Sequence, residues 1–568
     1  MARGFGAKRK RAPAKEGEGL VEEVEGDVLG IDIDSEVVKN EVAKEFQESK
    51  PYRHCVLKEL CNEKVLRKVR DEIITNLRAT FKETDIYKVL QTGDLANLDG
   101  LDKNSLGQLP HLKRLRDTIY SKEFRTFVES VAGLGSGELI DKTDCSCNIY
   151  PQGGHLLCHD DVIGTRKVSY IIYLTDPDSP WKSEDGGALA LYDCIVDPKG
   201  KARKLPLPDY HPIKRLLPTW NTMVMFAVQP GKSFHDIEEV IVTDKPRLSI
   251  SGWFHGEKPP EGSENATLNQ ILVNSKSSEW KGDSPCAAFD KVDPFVKLPS
   301  EVHADGWLSE SEVEGLALYI NPQYLVKSSV ERIADKFVDD SHIQLYKFLN
   351  DALVDQLSKQ IHDKDEEEGM FEGVIPPYES GVGGAWKMRG PTHKQRYLEM
   401  TCDAGGDLFS NLKECFGSPA FQKLLSYMTK VTLTSSRSCV RRFRPGLDYT
   451  LAHSGVETAG YQLDATLCMV EESEQWGLGE VGGYDCYMVN DIEAKGPNNA
   501  SAEVYNEAAD EDDETVTLPA TNNCLNLVLS CEGVMRFTKY ISATAPGSRW
   551  DIMNEFEITP DDDSDEDE

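Results

Sequence analysis

Between about positions 53 and 133, apolar residues recur at helical spacing, as in Val56, Leu60, Val65, Val69, Ile73 and Leu77, and this predicts helices. From Asp144 the texture changes to short β-rich runs parted by Gly, Pro and Asp. The runs 169–174, 189–192, 222–228 and 248–254 read as strands. Around 258–300 the chain turns polar, with Pro259-Pro260 and Gly262-Ser263, which suggests a linker. Helical spacing returns over 311–318, 344–362 and 419–429, and β-rich texture then runs from 432 to 558.

Helices followed by strands thus occur twice, and the two halves can be laid over each other. With Arg247 set against Arg549, Gly186-Gly187 falls near Gly482-Gly483, Trp181 near Trp476, Asn221 near Asn523 and His159 near His453. The matches keep one order and similar spacing, which predicts two duplicated β-barrel-like domains in an α+β, mainly β chain. The expected organisation is a disordered basic tail over 1–28, a catalytic domain over 29–260 and a linker over 261–300. A second domain over 301–558 follows, with an acidic loop at 493–516, and then an acidic tail over 559–568.

Composition narrows the function. The chain of 568 residues carries 97 acidic and 63 basic side chains, a net charge of −34. Such a field repels nucleic acid and favours a basic partner. No apolar run is long enough for a membrane span, and no apolar stretch follows the charged start, so neither a span nor a secretory leader is expected. The fourteen cysteines include no Cys-x-x-Cys pair, which reads as reduced thiols in an intracellular protein. Cys145 and Cys147 are expected in a sheet or core. Lys8-Arg9-Lys10-Arg11 is a compact basic cluster of the kind that can direct nuclear import, against the plainer reading of an unstructured basic tail.

The sharpest local feature is His159-Asp160-Asp161. Residues two apart in an extended segment share a face, so His159 and Asp161 can reach one metal ion, while Asp160 points away. An imidazole and a carboxylate are two thirds of the facial triad of non-haem Fe(II) oxygenases. His235, before the last strand of the first half, supplies the third ligand. His155 and His211 are rival histidines and are expected to be packed or solvated. Arg247 stands twelve residues beyond His235 at a strand start. A buried guanidinium there can clamp the distal carboxylate of 2-oxoglutarate by two parallel hydrogen bonds, with the Tyr173 hydroxyl beside it. Three protein ligands leave room on the iron for the co-substrate and O2.

The stretch Asn148-Ile149-Tyr150-Pro151-Gln152-Gly153-Gly154-His155-Leu156-Leu157-Cys158-His159-Asp160-Asp161 resembles the prolyl hydroxylases of the 2-oxoglutarate/Fe(II) oxygenase superfamily. Two further stretches, 82–95 and 384–391, resemble a narrower branch, the eukaryotic ribosomal prolyl hydroxylases with a second, non-catalytic barrel. The resemblance runs from about 38 to 558. It implies tandem double-stranded β-helix (jelly-roll) domains, iron ligands at His159, Asp161 and His235, and co-substrate contacts at Arg247 and Tyr173, with a pocket tyrosine at Tyr150. It further implies Fe(II), 2-oxoglutarate and O2 as cofactors with ascorbate as reductant. The implied substrate is a prolyl residue of a small-subunit ribosomal protein at the decoding centre. Implied partners extend to translation-termination or transcription-regulatory proteins, in nucleus and cytoplasm, with no direct nucleic acid and no membrane.

In the second half, Gly455 falls opposite Asp161, Phe537 opposite His235 by counting back from Arg549, and Cys468 near Tyr173. That half is expected to bind no iron. Two kinds of rival remain at this stage. One is another oxygenase, a lysyl hydroxylase or a nucleic-acid demethylase. The demethylase is disfavoured by the acidity and by Trp253, which stands where that family tends to place a second arginine. The other is a non-catalytic scaffold or oxygen-responsive regulator, disfavoured by the intact first triad.

Overall fold

The computed structural model describes residues 26–194, 207–263, 293–299, 302, 306–401, 407–452, 461–489, 515–531 and 533–559. The basic cluster at 8–11, most of the expected linker, the body of the acidic loop and the acidic tail lie outside these residues. The first half carries strands β1 His54–Lys58, β2 Thr80–Glu83, β3 Tyr87–Gln91, β4 Leu139–Tyr150, β5 His155–His159, β6 Arg166–Tyr173, β7 Leu189–Leu191, β8 Lys214–Leu216, β9 Thr222–Ala227, β10 His235–Ile237 and β11 Arg247–Gly256. They form one curled sheet in the order β1-β9-β6-β11-β4-β3-β5-β10-β7-β8, with β2 paired to β3. The second half carries β12 Val296–Lys297, β13 His342–Tyr346, β14 Trp386–Arg389, β15 Gln395–Met400, β16 Thr432–Phe443, β17 Tyr449–Thr450, β18 Gln462–Met469, β19 Asp485–Val489, β20 Val516–Leu518, β21 Cys524–Ser530, β22 Val534–Thr538 and β23 Arg549–Thr559. Its large sheet contains the path β13-β21-β18-β23-β16, the same order as β1-β9-β6-β11-β4.

The sheet of the first half has two differently used faces. On one face Tyr170, Ile172, Leu248, Ile250 and Phe254 pack with helical residues such as Phe46, Leu66, Leu112, Phe124 and Phe127. Removing each such side chain from water stabilises by about 1.5–3 kcal/mol. The alternate residues Ile171 and Tyr173, with Tyr150, Leu189, Val224, Phe226 and Ile237, face the inside of the curl. This is the period-two division that a strand imposes. Gly252 is required where β11 crosses β4, because a Cβ there would lie 1.8 Å from the Asp144 carbonyl oxygen.

Helix Glu63–Asn76 shows how the sequence writes a helix. Asn62 caps it by accepting from the amides of Lys64 and Val65, its stripe Val65, Leu66, Val69 and Ile73 is buried, and Leu77 ends it in extended backbone. The expectation of a helical segment over 53–133 needs correction, because that stretch also holds β1, β2 and β3. Val56 belongs to β1, a strand at the edge of the sheet that pairs on one side with β9. Likewise 344–362 divides into the end of β13 and helix Asp351–Glu367. A strand too short to show its alternation was absorbed into the neighbouring helical pattern in both places. The four strand expectations in the first half and the helices at 311–318 and 419–429 hold within a few residues. Among the described residues no helix is long and apolar enough to cross a membrane.

Candidate metal centre and co-substrate pocket

Strands β5 and β10 pair so that His159 lies directly opposite His235. Their rings approach to 4.2 Å between centroids. Asp161 follows β5 in left-handed backbone, at φ 59°, which turns its carboxylate back toward both rings. His159 Nε2 lies 3.3 Å from one Asp161 oxygen and His235 Nε2 3.6 Å from the other. Within the described residues this is the one group of three such side chains whose ligand atoms converge, all within 4.8 Å, and all three are buried.

The surroundings prepare these atoms as ligands. His159 Nδ1 lies 2.9 Å from the Leu157 carbonyl and His235 Nδ1 2.8 Å from the Ser233 carbonyl. Each Nδ1–H is thereby directed to backbone, which leaves each Nε2 lone pair toward the common centre. Asp161 accepts from Ser169 Oγ at 2.8 Å and from Trp253 Nε1 at 3.0 Å. Burial would raise the Asp161 carboxyl, but the His159 hydrogen bond and the charges of His235, His159 and Arg166 hold it well below the usual carboxylate range. Burial pushes His235 down to about 4. An ionised carboxylate and a neutral imidazole are the states that bind a metal.

Arg247 opens β11 opposite Tyr150 and is fully buried. Its Nε donates to the Gly187 carbonyl at 2.7 Å, and its guanidinium sits 5.1 Å from the ring centres of both Tyr150 and Tyr173. Arg247 Nη2 and the Tyr173 hydroxyl are buried and make no well-formed hydrogen bond among the described residues. A buried cation without an acidic partner is costly unless a ligand completes it. These orphaned donors fit a carboxylate such as that of 2-oxoglutarate, so the residues present suit the expected group.

The other sequence candidates resolve as follows. Asp160 is not directed at the centre and instead accepts from the amides of Val162 and Gly231. His155 is buried against Tyr540 of the second half, with ring centres 4.3 Å apart. His211 is partly exposed beside Asp209. Cys145 and Cys147 are core residues. Sequence reasoning missed the roles of Ser169 and Trp253. Their available signal was position, since both lie in the predicted strands and face each other across β6 and β11.

The second half keeps the scaffold and changes the contents. Arg549 opens β23 opposite Phe443, as Arg247 opens β11 opposite Tyr150. The Gly483 carbonyl accepts from Arg549, as Gly187 accepts from Arg247. Here, however, the guanidinium is paired with Asp485 at 2.7 Å and Asp551 at 3.0 Å. Cys468, opposite Asp551, stands where Tyr173 stands opposite Ser249. The expected counterpart of His235 needs correction. Ladder register places Arg536, opposite Tyr487, in the position of His235 opposite Leu191, and Phe537 is its neighbour. Counting back from Arg549 missed by one because the connecting segment is one residue longer, 13 against 12. Arg536 is gripped by Asp464 at 2.5 Å and Glu555 at 2.9 Å. Those two acids are the register equivalents of Ser169 and Trp253. His453 and Gly455 lie outside the described residues.

Residues 145–255 match the family described as 2OG-Fe(II) oxygenase superfamily, and residues 311–565 match that described as oxoglutarate and iron-dependent oxygenase degradation C-term. Prolyl 3,4-dihydroxylase OGFOD1 of Ostreococcus tauri is 37% identical over 522 residues, covering 89% of this chain and 94% of its own. Prolyl 3-hydroxylase OGFOD1 of Xenopus laevis is 28% identical over 87% of this chain and 84% of its own. Prolyl 3-hydroxylase sudestada1 of Drosophila melanogaster is 26% identical over 88% of this chain and 81% of its own. A solved Pseudomonas putida prolyl-4-hydroxylase aligns with 38% of this chain and 99% of that chain at 16% identity and a TM-score of 0.27, a likeness too slight to carry an argument.

The fold and the converging His-Asp-His group are those of a 2-oxoglutarate- and Fe(II)-dependent oxygenase. Within that superfamily the chain belongs to the OGFOD1 family of prolyl hydroxylases. It is an enzyme that uses Fe(II), 2-oxoglutarate and O2, and the scaffold reading is set aside.

Proposed function

We propose that this chain hydroxylates a prolyl residue of a small-subunit ribosomal protein, with the iron held by His159, Asp161 and His235. Arg247 binds the distal carboxylate of 2-oxoglutarate, assisted by the Tyr173 hydroxyl, and Tyr150 forms the pocket wall on the other side of the guanidinium. The observation that carries this reading is a fully buried Arg247 with an unpartnered Nη2, in the same curled sheet as the converging His-Asp-His group. The catalytic unit is then 29–260, and the second unit, 301–558, supports it or recruits a partner.

Bound Fe(II) with 2-oxoglutarate and O2 supplies the oxidising power that places one oxygen on a C–H bond while releasing succinate and CO2. The chain's own residues do the positioning. The carbonyls of Leu157 and Ser233 fix the two imidazole tautomers. Ser169 and Trp253 hold the Asp161 carboxylate at one angle. The walls Phe226, Ile171 and Leu191 keep the interior apolar and exclude water.

The net charge of −34 supports a strongly basic protein as substrate and disfavours nucleic acid. The effect on translational accuracy or termination, the use of ascorbate as reductant, and residence in nucleus and cytoplasm belong to the same proposal and rest on the family resemblance. The test is mass spectrometry of a proline-containing peptide from the decoding-centre ribosomal protein, incubated with enzyme, Fe(II), 2-oxoglutarate and air. A gain of oxygen on proline that is absent with His159→Ala supports the reading. Succinate formed by the wild type without peptide oxidation would discard this substrate.

A further inference from the structure

We propose that Glu239 is a positioning residue through which the second half sets the place of the co-substrate clamp, an inference that rests on Arg247 being that clamp. Glu239 is 1% exposed, and among the described residues its carboxylate accepts its hydrogen bonds from the second half. It accepts from the Ala543 amide at 2.7 Å, from the Tyr540 hydroxyl at 3.2 Å and from the Ser542 hydroxyl.

Its backbone, by contrast, serves the active site. The Glu239 carbonyl accepts from the Gly187 amide at 3.0 Å, and the Gly187 carbonyl in turn accepts from Arg247 Nε at 2.7 Å. A Cβ on Gly186 would lie 2.1 Å from the Glu239 oxygen, and one on Gly187 would lie 3.0 Å from Arg247 Cδ. The backbones of Glu239 and of Gly186-Gly187 and the side chain of Arg247 are therefore in direct contact with no slack between them. The next residue, Val240, exchanges both hydrogen bonds with Gly153 and Gly154, the loop that leads into β5 and His159. His235 stands four residues before Glu239. A shift of the 238–241 segment would thus be passed to the clamp and to the loop before the metal centre. Backbone hydrogen bonds to Gly154, Asp185 and Ala188 hold that segment within the first half, and the Glu239 side chain adds an anchor outside it.

An ordinary interface residue would add stability and leave co-substrate affinity alone. A positioning residue changes affinity first, as groups that orient ligand-binding side chains do. The experiment measures 2-oxoglutarate binding to the anaerobic Fe(II) protein by calorimetry, with deuterium uptake of the peptide spanning 185–188 in the ligand-free chain. The main variant is Tyr540→Phe with Ser542→Ala, which removes two of the three donors and leaves the catalytic half untouched. We expect the dissociation constant to rise roughly tenfold and uptake at 185–188 to increase, with iron still bound. Glu239→Ala should do the same or more. Glu239→Gln should return close to wild type, because the amide can accept from Ala543 and Tyr540 and donate to Ser542. Asp85→Ala removes another contact between the halves, the one to the Ala452 amide, and should leave affinity unchanged.

Unchanged affinity and uptake in the Tyr540/Ser542 double variant would overturn the proposal, as would an equal loss in Asp85→Ala. If Glu239→Ala does not fold, the double variant still decides the matter. Arg247→Ala in the same assay separates the two claims. Retained binding there would sink the clamp itself. Lost binding there, with the double variant unaffected, would sink only the role of Glu239.

Discussion

In the first half the arginine that opens the last strand is buried with no acidic partner among the described residues, and in the second half its counterpart is enclosed by Asp485 and Asp551. The same contrast recurs at the metal position. His235 faces Asp161 and His159 across a gap of metal-ligand size, whereas Arg536 fills its equivalent place and is neutralised by Asp464 and Glu555. One strand order therefore supports two opposite electrostatic designs. The first half keeps a guanidinium with an incomplete set of partners and three metal-ligand atoms aimed at one point, and so favours ligands that complete them. In the second half every such charge finds its partner within the chain, and a guanidinium stands where a metal cation would. The difference is carried by a few inward positions, not by the scaffold.

The comparison can be broken most forcefully at Asp161. Asp161→Ala should reduce turnover by at least about three orders of magnitude, some 4 kcal/mol of lost barrier lowering, with iron lost from the purified protein. Succinate production and metal analysis check this, and near-normal turnover would show that the first half does not work as described. Next in size is Arg536→Ala, which leaves Asp464 buried without its cation and Glu555 with Arg437 alone. It should destabilise the chain by about 3–5 kcal/mol, read by denaturant unfolding, without raising the iron content. A neutral effect would mean that the guanidinium is not what completes that site.

Two smaller effects sharpen the contrast. Arg247→Lys keeps the charge but loses the planar fork, so the KM for 2-oxoglutarate should rise by roughly 30-fold, about 2 kcal/mol, with kcat less affected. Steady-state kinetics with varied co-substrate will show whether the KM moves alone. Ser169→Ala removes one of two hydrogen bonds that orient Asp161 and should weaken iron binding by about 1 kcal/mol, with Trp253 holding the rest. Competition against a chelator measures it, and no change would assign the orienting role to Trp253 alone.

Much of the first half is readable from the sequence because its signals are short and local. His159 and Asp161 share a face by period two, and Arg247 announces a strand start. The same reasoning failed where position depends on the ladder. Counting along the chain sets Phe537 against His235 because it cannot detect one extra residue in a connection, whereas pairing with Tyr487 selects Arg536. The acidic pair around Arg536 was also overlooked, although a signal existed. Asp464 is the one charged residue of β18, and such a residue in a sheet interior calls for a cation across from it. At β1 the misreading was of a different kind. A five-residue edge strand beside a long amphipathic helix has too few alternations to be seen, and its identity comes from pairing with β9.

The central claim is that the first half carries the whole cofactor site, while among the described residues of the second half paired guanidinium groups fill the corresponding positions. The most direct test is to load the anaerobic protein with Fe(II) and 2-oxoglutarate and count both per chain, in the wild type and in His235→Ala. The account predicts one iron and one 2-oxoglutarate in the wild type, with the iron lost in the variant. Two irons per chain, or iron retained by His235→Ala at full occupancy, would contradict it.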